Sequence, residues 1–294
     1  MILITAPTST IGSQLVDLLL EAEAPLRLLV RDPSRLAPSV RERTEVVVGS
    51  HGDGAVVDVA ADGVDGVFWL TPNISDAPTL AASFADFARP AAEAFARHDV
   101  RRIVGISAIG RGTPQSEHAG CVTASLEMDD VFAASGVPYR AVVSPSFMDN
   151  LLNQVDAIKE QGTFSGVISP DLKAPTVATR DLAATSARLL RDTSWTGVGE
   201  VACLGPQDLS PDDQAHILSD VLDRSVTYVQ TPGHAFKARM TGFGMGDAMA
   251  QGLLDMFDAK NAGLDNALPR TAETATPTTF EQWCREVLVP AVSG

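Results

Sequence analysis

A chain of 294 residues that is 45% hydrophobic and 20% charged carries enough apolar content for a large buried core, and is neither fibrous nor disordered. Its 22 basic and 37 acidic side chains leave a formal net charge of −15, which argues against nucleic-acid backbones and anionic membranes as partners. The three cysteines, Cys121, Cys203 and Cys284, are widely spaced, with no CxxC and no nearby histidine pair, so neither a disulfide framework nor a metal site is expected.

The first twenty residues, MILITAPTSTIGSQLVDLLL, read as strand, tight turn and helix. Ile2 to Ile4 form an apolar run, a polar turn follows, and Ile11, Leu15, Leu18 and Leu19 recur at helical spacing. Such a unit sets a helix N-terminus, with its unpaired N–H groups and positive dipole end, over the carboxyl end of a strand, where a phosphate can sit. The three glycine positions of a dinucleotide turn read here as Ala6, Ser9 and Gly12. Thr8, Ser9 and Thr10 add hydroxyls beside them. An ordinary βα turn in another α/β fold is the alternative. Because a strand begins at once, with no basic leader, and no apolar stretch approaches the ~18–20 residues of a spanning helix, a cytoplasmic protein is expected.

Leu26 to Val30 is a second strand, followed by Arg31-Asp32-Pro33-Ser34-Arg35. An arginine at the end of this strand accommodates a 2′-phosphate, whereas an acidic residue accepts from a 2′-hydroxyl. Arg31 and Arg35 therefore point to NADP, or else are two solvated surface arginines. Glu45–Gly49, Val64–Leu70 and Arg101–Ser107 read as further strands, with a helix through Val56 and Val57 and a long helix from Pro78 to His98. Nearly apolar strands alternating with helices predict a doubly wound parallel sheet covered on both faces. Ligands in such sheets bind beyond the carboxyl ends of the strands. That edge collects Ala6–Gly12, Arg31, Leu70–Asn73 and Ser107–Gly110, with the Ser107 hydroxyl expected to face the crevice. The stretch Gly105–Gly110 lacks the G-x-S-x-G spacing of a hydrolase nucleophile.

Thr123–Ser135 reads as a helix and Arg140–Val143 as a sixth strand, followed by SPSFMDNLL. Beyond Leu152 come a loop-rich stretch, Gly162–Pro175, and a helix over Thr179–Leu190. Val201–Leu204 is a strand, a helix starts at Ser210-Pro211, and Val226–Val229 is a short strand. Met240, Met245, Met249 and Met256, with Phe243 and Leu253, suit either the core of a small lobe or an adaptable wall over an apolar substrate. In order, the segments LITAPTSTIGSQLVDLLL, LLVRDPSRL, GVDGVFWLTP, RRIVGISAIG, ASGVPYRAVVSPSFMDNLL, VATRDLAATSARLL and TPTTFEQW resemble the NmrA-like family of atypical short-chain dehydrogenases/reductases. That group is similar to triphenylmethane reductase and the NADPH-dependent quinone reductases.

The resemblance implies a Rossmann-type NAD(P)-binding domain over residues 1–150, rejoined by 174–206, and a smaller C-terminal substrate lobe over 151–294. It implies NADPH as cofactor, held by Ala6, Thr8, Ser9, Thr10, Ile11, Gly12, Arg31, Arg35, Leu70, Thr71, Pro72, Ser107, Ala108 and Pro145. It places His118, Phe147 and Asn150 beside the substrate. Phe147 could stack on a flat acceptor or simply pack at the strand end. The Tyr-x-x-x-Lys pair of the wider superfamily is absent, since Val143 and Pro232 stand four residues after Tyr139 and Tyr228. The lysine that family members often keep four residues before the position of Glu127 is Thr123, and the arginine before Pro145 is Ser144. His118, Thr123 and Ser107 are the remaining proton-handling candidates, His118 being either an acid–base group or an exposed loop histidine. Hydride transfer itself needs orientation and proximity, which favours conjugated, quinonoid or imine-like acceptors. The expected activity is NADP(H)-dependent reduction of an apolar small molecule by a protein that could be a homodimer. An NADP-sensing regulatory protein and a non-redox cyclase or isomerase are the alternatives.

Overall fold

The computed structural model describes residues 1–294, and strands alternate with helices from its first residues. The strands β1 (Ile2–Thr5), β2 (Leu26–Val30), β3 (Glu45–Val48), β4 (Gly66–Trp69), β5 (Arg102–Ala108) and β6 (Tyr139–Ser144) share one sheet with a seventh, Val198–Ala202. From one edge the order is Val198–Ala202, β6, β5, β4, β1, β2, β3, and every pairing is parallel. Parallel neighbours need crossovers over a sheet face, and here helices cover both faces. The chain builds outward from β1 to β3, then returns to β4 on the other side of β1, so the order reverses between β1 and β4. Thr5 bridges that point. Its hydroxyl donates to the Phe68 carbonyl at 3.0 Å and accepts from the Leu70 N–H at 3.1 Å.

Alternation along the strands sends side chains to two cores. On one face Leu3, Val67, Trp69 and Ile103 meet Phe95 and Phe132 from the helices Ala85–Arg97 and Cys121–Ala134. On the other, Ile4, Leu28, Phe68 and Val104 meet Leu15 and Leu19 of helix α1 (Thr10–Glu21) and Leu182 of the helix Thr179–Arg191. A third core joins Ile158, Phe164, Leu218, Phe280, Trp283 and Leu288 beyond the sheet. Its helix Pro211–Leu222 opens with a reciprocal cap, Ser210 Oγ accepting from the Asp213 N–H and the Asp213 carboxylate from the Ser210 N–H. No helix is long and apolar enough to cross a membrane.

Three sequence expectations change. The helix expected from Pro78 to His98 is two helices, Leu80–Ser83 and Ala85–Arg97. Between them Phe84, at φ −120° and ψ −83°, leaves helical geometry and packs between two apolar clusters. The stretch Gly162–Pro175 is more ordered than its composition suggests. Thr163–Gly166 pairs with Thr227–Gln230, and Ala174–Val177 pairs with Ser146–Phe147 and Asp208–Leu209. The strand expected over Val201–Leu204 runs over Val198–Ala202, because its register is set by pairing with β6 from Tyr139 to Val143. The methionine-rich stretch folds as two helices, Gly233–Gly242 and Asp247–Asn261. Met245, Met249 and Met256 pack there against Ala77 and Cys121, while Phe243 at the tip is 80% exposed.

Candidate active site

Two cavities border the carboxyl edge of the sheet. The first, about 740 Å³, opens at the reversal point and is lined by the ends of β1, β2 and β4 and by Gly49–His51 after β3. The turn from β1 into α1 forms its floor. Ala6 stands at φ +50° without being glycine, a left-handed conformation that costs an L-residue about 1–2 kcal/mol. Ser9 holds the turn, its hydroxyl donating to the Ala6 carbonyl at 2.8 Å and accepting from the Gly12 N–H at 3.0 Å. The Ser9 hydroxyl, expected to face a phosphate, is therefore committed inside the turn. The N–H groups of Thr10 and Ile11 have no protein acceptor, and they lie where a helix N-terminus favours an anion. At Gly12 a Cβ would stand 2.2 Å from the Ala6 carbonyl oxygen, so the closeness of helix to turn depends on that glycine.

Of the residues the sequence pointed to, Ala6, Thr8, Ser9, Arg31, Arg35, Leu70, Thr71 and Pro72 line this crevice. Thr10, Ile11, Gly12, Ser107, Ala108 and Pro145 do not, although Gly12 shapes the turn. Arg31 and Arg35 are exposed and make neither an ion pair nor a side-chain hydrogen bond. Asp32 between them accepts from the Ser34 N–H at 2.9 Å and the Ser34 hydroxyl at 2.7 Å, and these bonds lower its pKa. One carboxylate oxygen, Oδ1, takes both bonds, and the two guanidinium groups are left without a partner.

Among the crevice residues that escaped the sequence reading is a histidine. His51 is 7% exposed, between Trp69 and Phe87 with ring centroids 5.0 and 5.1 Å away, both edge-on. Its Nε2 lies 3.1 Å from the Leu70 carbonyl and must carry the hydrogen, since a carbonyl only accepts. Burial pushes its pKa down to about 4, so the ring is neutral at physiological pH. The available signal was its place just past the carboxyl end of a strand.

The proton-handling candidates lie elsewhere. Ser107 does not face the crevice. Its hydroxyl is buried under β5, donating to Asp129 Oδ2 at 2.5 Å and lying 3.2 Å from Ser125 Oγ. The Tyr139 hydroxyl donates to the other oxygen of Asp129, also at 2.5 Å. The alternation of a strand decides this, since Ser107 falls on the side covered by the helix Cys121–Ala134. Thr123 is committed too, its hydroxyl donating to the Ser116 carbonyl and accepting from the Ala119 N–H. His118 is exposed and lines neither cavity. Burial raises Asp129 to about 7, against the two hydroxyl donors that lower it. A carboxyl raised above its unfolded value, about 3.9, stabilises the fold below pH 4 and loses that contribution as pH rises to 7. Relative to Asp129→Asn, the wild type should therefore lose on the order of 1 kcal/mol per pH unit between pH 4 and 7. Urea titrations of both proteins across that window check this, and parallel pH profiles would show that Asp129 is ionised throughout.

The second cavity, about 200 Å³, begins where β6 ends, and Phe147 and Asn150 line it together. Its other walls include Leu151, Phe164, Tyr228 and Phe257, with Lys260 and Asp265 among them.

Comparison with known proteins agrees with this geometry. A family model described as NAD(P)H-binding matches residues 8–193. An NAD(P)H azoreductase of Xenophilus azovorans is 29% identical over 257 residues, covering 87% of this chain and 86% of that protein. A (4-alkanoyl-5-oxo-2,5-dihydrofuran-3-yl)methyl phosphate reductase of Streptomyces griseus is 32% identical over 229 residues, covering 78% of this chain and 76% of that protein. The triphenylmethane reductase of Citrobacter sp., solved with NADP(H), superposes with a TM-score of 0.79 over 100% of this chain and 99% of that one, at 16% identity, and shows a shared fold. With a nucleotide-sized crevice at the reversal point and reductases as its relatives, this chain belongs to the NAD(P)H-binding family and stands among its NAD(P)H-dependent reductases.

Proposed function

We propose that the protein is an NADP(H)-dependent reductase of apolar, conjugated small molecules of quinonoid or imine-like character. One observation carries the choice of NADP. Two unpaired arginines, Arg31 and Arg35, line the crevice at the end of β2 in a chain of net charge −15, on either side of Asp32, whose Oδ1 is turned to Ser34. A 2′-phosphate meets two guanidinium groups there. The free N–H groups of Thr10 and Ile11 at the start of α1, whose close approach to the turn depends on Gly12, suit the pyrophosphate. When bound, NADPH supplies a hydride.

This chain's own residues then bind, orient and exclude water. Phe147 and Asn150 mark where the substrate pocket opens beside the sheet. Phe164, Tyr228 and Phe257 give it apolar walls that favour flat acceptors and keep water out. With Ser107 and Thr123 committed to structure, no side-chain hydroxyl of theirs is free to protonate a product. The acceptor is therefore one whose reduced anion is stabilised by conjugation and takes its proton from water once it has left the pocket. Nicotinamide fluorescence titrations should give micromolar NADPH binding with NADH at least tenfold weaker, and a naphthoquinone should then accelerate NADPH oxidation. Failure to bind either nucleotide would remove the reductase reading. Tight NADPH binding without oxidation by quinones, imines or azo compounds would turn it into a nucleotide-sensing one.

A further inference from the structure

The second cavity holds a charged pair that the reduction described above does not use. Lys260, one of only four lysines in the chain, and Asp265 line a mostly apolar pocket with side chains 7% and 6% exposed. They come from the last turn of the helix Asp247–Asn261 and the short helical turn Leu264–Asn266. Nζ donates to Oδ1 at 2.7 Å and to Oδ2 at 2.6 Å. An ammonium carries three protons, so one remains without a protein acceptor. Replacing such a pair with apolar residues of similar volume is often neutral or stabilising, so stability alone does not account for it.

We propose that Lys260, held by Asp265, is the specificity-determining anchor of this pocket, and that the occupant is a neutral aromatic or conjugated molecule presenting one carbonyl oxygen. An apolar cavity of about 150 Å³ admits benzene. At about 200 Å³ this pocket takes one ring with a small carbonyl substituent. Asp265 cancels the charge of Lys260, so the remaining N–H offers a directed hydrogen bond without the net positive field that would select an anion. A carbonyl fits that donor, and a hydrocarbon leaves it buried and unpaired. The assignment rests on the reductase reading for its biological meaning, since it names the substrate class of that site.

The test uses a matched pair of probes, acetophenone and α-methylstyrene, which differ in a carbonyl oxygen against a methylene. Calorimetry on the wild type should show acetophenone binding about tenfold more tightly, the worth of one hydrogen bond to a charged group. Lys260→Met with Asp265→Leu removes both charges together and should bring the two affinities within about twofold. An unchanged ratio in the double variant, or no preference in the wild type, overturns the proposal. A second readout needs no variant: the infrared carbonyl stretch of bound acetophenone should fall below its frequency in an apolar solvent, and an unshifted band also overturns the proposal. NADPH titration of both proteins reports on the other cavity. Loss of nucleotide binding in the wild type would sink the reductase reading while leaving the probe ratio legible.

Discussion

Gly12→Ala is expected to abolish nucleotide binding and to lower stability by about 2–4 kcal/mol, a sum of overpacking and a lost helix cap. The added Cβ would lie 2.2 Å from the Ala6 carbonyl oxygen and 2.8 Å from Ser9 Oγ. Neither atom can retreat freely. The carbonyl belongs to a backbone already held left-handed at Ala6, and the hydroxyl is fixed by its own bonds to Ala6 and Gly12. Helix α1 must therefore lift from the turn, which turns its free N–H groups away from the phosphate position. Leu15 and Leu19, fully buried between α1 and the sheet, then lose packing. Thermal unfolding with an NADPH titration checks both halves. A Ser9→Ala control should cost only about 1 kcal/mol and keep measurable binding, because it removes the cap without adding an atom. Normal NADPH affinity in Gly12→Ala would exclude this turn as the phosphate site.

Arg31→Ala with Arg35→Ala should weaken NADPH about 100-fold and leave NADH within about threefold, because charge-assisted bonds to phosphate contribute roughly 1.5–3 kcal/mol each. Both arginines are exposed and free of ion pairs, so their removal leaves no buried group orphaned and the fold should melt normally. Salt provides the independent signature. Wild-type NADPH affinity should decline as ionic strength rises, since exposed charges are screened over about 10 Å at 0.1 M, and the double variant should be nearly flat. Equal affinities for NADPH and NADH in the wild type would make these two arginines surface charges with no part in cofactor choice.

The layout of the fold was legible because its signals are local. Apolar strands such as Ile2–Thr5 and Gly66–Trp69 alternate with amphipathic helices, and parallel pairing follows from that alternation. The β1 turn and the arginines after β2 were also legible, since each depends on a few consecutive residues at a strand end. The split of the expected helix at Phe84 was not, because it answers to clusters on two sides of that ring.

Sequence by itself determined the α/β alternation, and its strand-end segments Ala6–Ser9 and Arg31 to Arg35 meet at one crevice on the carboxyl edge of the sheet. Only tertiary structure decided which way each hydroxyl points and which charges meet. Ser107 and Asp129 are 22 residues apart, and the facing of β5 against a helix turns a presumed crevice hydroxyl into a buried hydrogen-bond donor. The Ser9 hydroxyl was drawn inward by the turn it closes, His51 was set against the aromatic rings of Trp69 and Phe87, and Lys260 met Asp265 inside an apolar pocket. Periodicity fixes the face of an element that is buried, whereas the partner waiting on that face is set by packing between segments distant in the chain.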